Sequence, residues 1–202
     1  MLHHILRTGG VVFTLFVTYL AKPGSSLFSY HPTLMTVAFT GLMTEAIFMF
    51  SKYGLAGGRL HSAKITAHWL VLMLAAVAHG VGYVTIYYNK ELNSKPHYTS
   101  WHGSLGLSTS VLFWLQLSVG IFVRYPKLLK SVMQGRTLKA IHGLFGMMTF
   151  GAAMITVALG LWSNWFQDKV PKLTLYSGVG LHILLMFIVC KKFLMKYAWE
   201  IL

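Results

Sequence analysis

The chain has 202 residues, 55% of them hydrophobic and 10% charged, and a mean hydropathy of +0.61. This composition excludes an ordinary soluble protein and predicts one integral membrane domain covering residues 1–202. A net charge of +13 would suggest nucleic acid in a soluble chain; here the lysines and arginines sit in short breaks between apolar runs, which excludes that partner. The single cysteine, Cys190, rules out an intrachain disulfide, and without a Cys-x-x-Cys-His run covalently attached haem is excluded as well.

Six apolar segments follow in chain order, which predicts an all-α protein with six transmembrane helices. The first, 2–21, is interrupted by Arg7, whose long stem is expected to snorkel its charge to the interface. Lys22-Pro23-Gly24-Ser25-Ser26 follows and reads as a turn, not as a signal-peptide cleavage site. The second segment, 32–50, opens with Pro32 at the first helical position, where a missing N–H costs nothing. The third, 65–88, carries no formal charge and exceeds the ~20 residues a helix needs to cross ~30 Å of hydrocarbon. The fourth, fifth and sixth cover 101–123, 138–162 and 173–189, and no break is long enough for a second domain. With a cytosolic N-terminus, twelve of the Lys and Arg residues fall on the cytosolic side and five on the other. The positive-inside rule then expects both termini in the cytosol.

Four histidines mark helix starts. His31 precedes the second segment, and His68, His102 and His142 are expected in the first turns of the third, fourth and fifth. Because successive helices alternate direction, His31 and His102 share the outer level and His68 and His142 the inner one. Two facing imidazole pairs suit two bis-histidine haems, since porphyrin iron has two axial positions. A helix N-terminus disfavours imidazolium and so favours the neutral, ligating form. The runs His102-Gly103-Ser104-Leu105-Gly106 and His142-Gly143-Leu144-Phe145-Gly146 share the pattern His-Gly-x-x-Gly, with glycine leaving room for a macrocycle. Each feature alone has an ordinary reading, an interfacial histidine or a helix-packing glycine. A tetrahedral zinc site would need the four histidines together, and topology separates them. His79 and His182 lie mid-helix and read as hydrogen-bonded interior groups.

These residues resemble the cytochrome b561 family of six-helix, di-haem transmembrane oxidoreductases that use ascorbate. His31-Pro32-Thr33-Leu34-Met35 looks like its HPxLM motif, and Lys64-Ile65-Thr66-Ala67-His68 is similar to its Lys-then-His approach to helix 3. Ser100-Trp101-His102 and Ile141-His142-Gly143 match its ligand regions on helices 4 and 5, and Glu45 falls where the family carries an acid. Pro23–Pro32 looks especially like one small subgroup. Phe50-Ser51-Lys52 departs from the family's Tyr-Arg pair, and Leu72 stands where a second histidine is common.

The resemblance implies helices 2–5 bundled around two non-covalent haem b groups, His31 and His102 on the outer iron and His68 and His142 on the inner. It implies a transmembrane ascorbate-dependent reductase, with monodehydroascorbate or a ferric chelate as acceptor, in an endomembrane and as a homodimer. Lys64, Lys52, Arg59 and His97 are the candidate substrate contacts. The alternatives are a haem-bearing structural or sensor subunit, which ascorbate would not reduce, and a channel or transporter. The latter would need a polar path, and Glu45 is the only carboxylate within a predicted span.

Overall fold

The structure is a computed structural model that describes residues 2–51, 54–56, 58–129 and 133–201. Every regular element among these is helical: α1 (Leu2–Ala21), α2 (Leu27–Met35), a π-helical segment (Thr36–Met43), α3 (Thr44–Phe48), α4 (His61–Leu92), α5 (Trp101–Arg124), a 3-10 turn (Pro126–Leu129), α6 (Gly135–Leu161), α7 (Asn164–Gln167) and α8 (Lys172–Ile201). Among the described residues five helices are long and apolar enough to cross a membrane: Leu2–Ala21, His61–Leu92, Trp101–Arg124, Gly135–Leu161 and Lys172–Met195. The chain is therefore an integral membrane protein. The second predicted helix runs over residues 27–48 without a break, but as three helical pieces of changing pitch.

The side-chain pattern suits lipid as solvent. On α4 the exposed Leu70, Leu74, Val77, Val81 and Val84 recur at steps of three and four residues, which lines them up in one outward stripe. The opposite face buries Ala75, Ala78, His79 and Gly82. Between helices in lipid there is little hydrophobic driving force, so close packing of small residues has to hold them together. Gly82 shows how close: a Cβ there would lie 3.0 Å from Leu34 Cβ on α2. Along such faces α2 packs on α4, α5 on α6 and α8 on α6, while α1 lies against the π segment.

The termini of the helices are set by polar chemistry outside the apolar runs. Ser26 caps α2, its Oγ accepting from Ser29 N at 3.2 Å, and Ser100 caps α5, accepting from Gly103 N at 3.1 Å. The helices also extend beyond their hydrophobic cores. α2 begins at Leu27 rather than at Pro32, α4 at His61 rather than 65, and α8 continues from Lys172 to Ile201 rather than ending at 189. A helix costs little to prolong once nucleated, so polar turns join the end of an apolar span.

Arg7 does not snorkel. Its guanidinium binds Glu45, with Nη2 donating to Oε2 at 2.6 Å and Nε to Oε1 at 2.9 Å, and both side chains are mostly buried, 13% and 15% exposed. The pair ties α1 to α3. Removing one partner of a buried pair strands the other charge and costs on the order of 3 kcal/mol, whereas replacing both by apolar groups is often neutral. Thermal unfolding in detergent should thus find Arg7→Met and Glu45→Leu each strongly destabilised and the double variant closer to wild type; additive losses would contradict the pairing.

Candidate functional site

His31 and His102 face one another across the bundle. Their ring centres are 6.1 Å apart with planes 79° from parallel. Two imidazoles sharing one metal, each nitrogen ~2.0–2.1 Å from it, place their ring centres about 6 Å apart. The pair therefore has the spacing of two axial ligands. A cavity of about 280 Å³ opens beside it, lined by Tyr83, Lys90, His97 and Tyr98 among others.

Orientation of the rings is fixed by the neighbouring helix. His31 Nδ1 meets the Gly82 carbonyl at 3.1 Å, His102 Nδ1 the Thr156 carbonyl at 2.9 Å, and His68 Nδ1 the Ala46 carbonyl at 2.8 Å. A carbonyl oxygen only accepts, so Nδ1 must carry the hydrogen and the neutral ring keeps its lone pair on Nε2. None of these three Nε2 atoms takes a hydrogen bond among the described residues. That is how proteins prepare an imidazole to bind metal. Gly160 stands behind His102, where a Cβ would lie 3.0 Å from Cε1, and Gly120 behind His142, at 3.3 Å from Cε1. α5 and α6 thus each supply a histidine and a glycine seat for the other's ring.

His68 lies on α4 and His142 on α6, the helices that pack against α2 and α5 respectively. The construction repeats internally. Gly82 comes 14 residues after His68 and Thr156 14 residues after His142. Gln116, which contacts His142, comes 14 after His102, but Ala46, which contacts His68, comes 15 after His31. The π segment between His31 and Ala46 accounts for the difference, since a π turn admits one extra residue. Two helix pairs, α2–α3 with α4 and α5 with α6, therefore anchor their imidazoles reciprocally.

Helix dipoles do not explain the arrangement. Only His102 lies in a first turn; His31 is inside α2, and His68 and His142 are each about two turns into α4 and α6. What holds the tautomer is the set of carbonyl acceptors. Of the candidate substrate contacts, Lys52 lies outside the described residues. Lys64 is half-buried, one turn before His68, and Arg59 is exposed in the turn before α4. His97 sits at the other end, stacked on Tyr87 at 4.4 Å and bonded to Glu91 at 2.8 Å. His79 and His182 are interior as expected, bonded to Ser110 Oγ at 2.9 Å and Thr40 Oγ1 at 3.0 Å. Among the described residues no three His, Cys, Asp or Glu side chains cluster as a metal site. Sequence reasoning missed Arg7 with Glu45, and Gln116; a polar amide inside an apolar span was the available signal for the latter.

The profile of the family described as eukaryotic cytochrome b561 matches residues 30–167. A Bos taurus protein named transmembrane reductase CYB561D2 is 37% identical over 179 residues, covering 87% of this chain and 78% of that protein. Its Mus musculus namesake is 34% identical over 198 residues, covering 98% and 87%. A Mus musculus protein named plasma membrane ascorbate-dependent reductase CYBRD1 is 27% identical over 149 residues, covering 71% and 49%.

The glycine seats make a graded prediction. Gly160→Ala should displace the His102 ring and lower bound haem per protein most. Gly120→Ala, with a looser contact, should lower it less, and Gly135→Ala, with nothing within 4 Å, not at all. Equal haem content in all three purified variants would contradict the seats.

Proposed function

The chain belongs to the eukaryotic cytochrome b561 family, and on that premise we propose that it carries electrons across a membrane from cytosolic ascorbate to a non-cytosolic acceptor, monodehydroascorbate or a ferric chelate. The observation that carries the reading is the His31–His102 pair, two facing rings 6.1 Å apart whose Nδ1 atoms are already committed to carbonyls. His31 and His102 hold one haem b on the non-cytosolic side, and His68 and His142 hold a second on the cytosolic side. When bound, each haem supplies a one-electron ferric–ferrous couple.

The chain's own groups do the rest. The Gly82, Thr156 and Ala46 carbonyls keep three ligating nitrogens unprotonated and aimed. Apolar stripes such as Leu70–Val84 face lipid and keep water from the interior. Residues 27–48 supply a sixth crossing beside the five long helices, which brings both termini to the cytosol in a single domain. Lys64 and Arg59 gather anionic ascorbate at the His68–His142 end, while His97 and Lys90 line the mouth the acceptor reaches. The proposal includes an endomembrane setting and a homodimer, which rest on the resemblance alone.

Adding ascorbate to the purified, haem-loaded protein tests the function: the absorbance should shift to that of ferrous haem. A spectrum that ascorbate leaves ferric would favour a structural or sensor role. His31→Ala and His102→Ala should then remove the same redox centre, and His68→Ala and His142→Ala the other. If His31→Ala and His68→Ala eliminated the same centre, the pairing would be wrong.

Lys64 has its own test. It lies four residues before His68, so helical spacing puts it on the same face. Lys64→Ala should slow reduction by ascorbate several-fold at low salt, less at high salt, and leave haem content and reduction by a neutral reductant unchanged. An unchanged ascorbate rate at low salt removes Lys64 from the site.

A further inference from the structure

The inward face of α5 ends on a cation. Phe113 is fully buried, Leu117 packs on the core, and a Cβ on Gly120 would lie 3.3 Å from His142 Cε1. Steps of four, three and four residues join Phe113, Leu117, Gly120 and Arg124 in one stripe, so Arg124 extends this face by a turn. The exposed Leu107, Val111 and Leu115 run along the opposite side. An arginine that only snorkelled toward lipid headgroups would belong with them. Instead the guanidinium reaches from α5 to α4, its Cζ 5.4 Å from the centre of the Trp69 ring and 5.8 Å from that of Tyr125. Trp69 directly follows His68. Arg124 thus joins the residue beside one imidazole to the turn that seats the other.

Its hydrogen-bonding capacity is hardly used. A guanidinium carries five N–H donors in a planar fork that matches a carboxylate. Arg124 commits one of them, Nε to Tyr125 Oη, at a long 3.4 Å. No carboxylate among the described residues pairs with it. An aromatic face takes the flat side of a guanidinium and leaves the donors at its edge for an anion. Haem b has two propionate carboxylates, and a carboxylate at the margin of hydrocarbon needs a cation beside it.

We propose that Arg124 binds a propionate carboxylate of the haem held by His68 and His142, with Trp69 steadying the guanidinium. This rests on the reading of those two histidines as haem ligands. The charge then acts twice. It neutralises a carboxylate where water is scarce, and it stands near an iron whose charge falls by one on reduction. A neighbouring cation favours the ferrous over the ferric form, so Arg124 raises the potential of the centre that receives the electron first. Anionic ascorbate would offer the same fork a partner, and the experiment separates the two sources.

Two measurements on haem-loaded protein test it. In potentiometric titration Arg124→Gln should lower the midpoint of the His68–His142 centre and leave the His31–His102 centre in place. Lys127→Gln, which removes an exposed cation three residues on, should move neither; a shift equal to that of Arg124→Gln would reduce the effect to net charge and overturn the proposal. In transfer of haem to apomyoglobin, Arg124→Gln should release the haem of that centre several-fold faster than wild type. After reconstitution with haem dimethyl ester, whose propionates are uncharged, the substitution should make no difference. Where Arg124→Gln holds no haem, Arg124→Lys, which loses the fork, takes its place in both measurements. Equal acceleration with both haems overturns the propionate partner. Slower reduction by ascorbate with potential and release unmoved assigns Arg124 to the reductant instead, and no change in any of the three leaves it an interfacial arginine; either overturns the proposal. His142→Ala separates this from the underlying reading. If it loses one haem, a negative result overturns the role of Arg124 only; if it keeps both, the ligand assignment falls too.

Discussion

The arrangement depends on one kind of interaction, a hydrogen bond from imidazole Nδ1 to an acceptor on the adjacent helix. In His31, His68 and His102 that bond selects the tautomer, sets the ring plane and ties two helices together at once. It draws on a carbonyl that already belongs to a helix, which has a second lone pair to give. The close approach it needs is supplied by small residues. Gly82 brings α4 onto α2, and Gly160 and Gly120 bring α5 and α6 together around the rings. A membrane helix cannot leave polar groups unpaired without penalty, so the same bonds satisfy the histidines in hydrocarbon.

The 14-residue spacing turns these local bonds into an architecture. Fourteen residues of α-helix rise about 21 Å, most of the ~30 Å hydrocarbon thickness. A histidine near one end of each helix therefore bonds to a group near the far end of the helix before or after it. The π segment keeps this register where the second helix carries one residue more, and it also places Thr40 against His182. Arg7 and Glu45 pin α1 beside Ala46, whose carbonyl holds His68, so the ion pair supports the site without touching it.

Much of this was legible in the residues. Apolar runs gave the long helices because lipid demands an unbroken stretch of hydrocarbon, and helix direction alone placed His31 with His102. Other features had no local signature. The starts of α4 and α6 lie in polar turns that read as loop, so His68 and His142 looked like first-turn residues and the helix dipole looked like their control. The π segment has the composition of any apolar helix. Arg7 and Glu45 are 38 residues apart and were readable only as separate intramembrane charges. Gln116 is the instructive case, a lone amide in an apolar span whose spacing from His102 matters only once the spacing of the other anchors is known.

The two proposed centres, each a pair of imidazoles on iron, are distinguishable in the low-temperature electron paramagnetic resonance spectrum of the oxidised protein. Two axial imidazoles make ferric haem low-spin, and nearly perpendicular ring planes leave two iron d orbitals almost equal in energy, which spreads the g values. The 79° between His31 and His102 therefore predicts two low-spin signals, one of them highly anisotropic and lost in His102→Ala. A single low-spin signal, or a high-spin signal in the intact protein, would contradict the account.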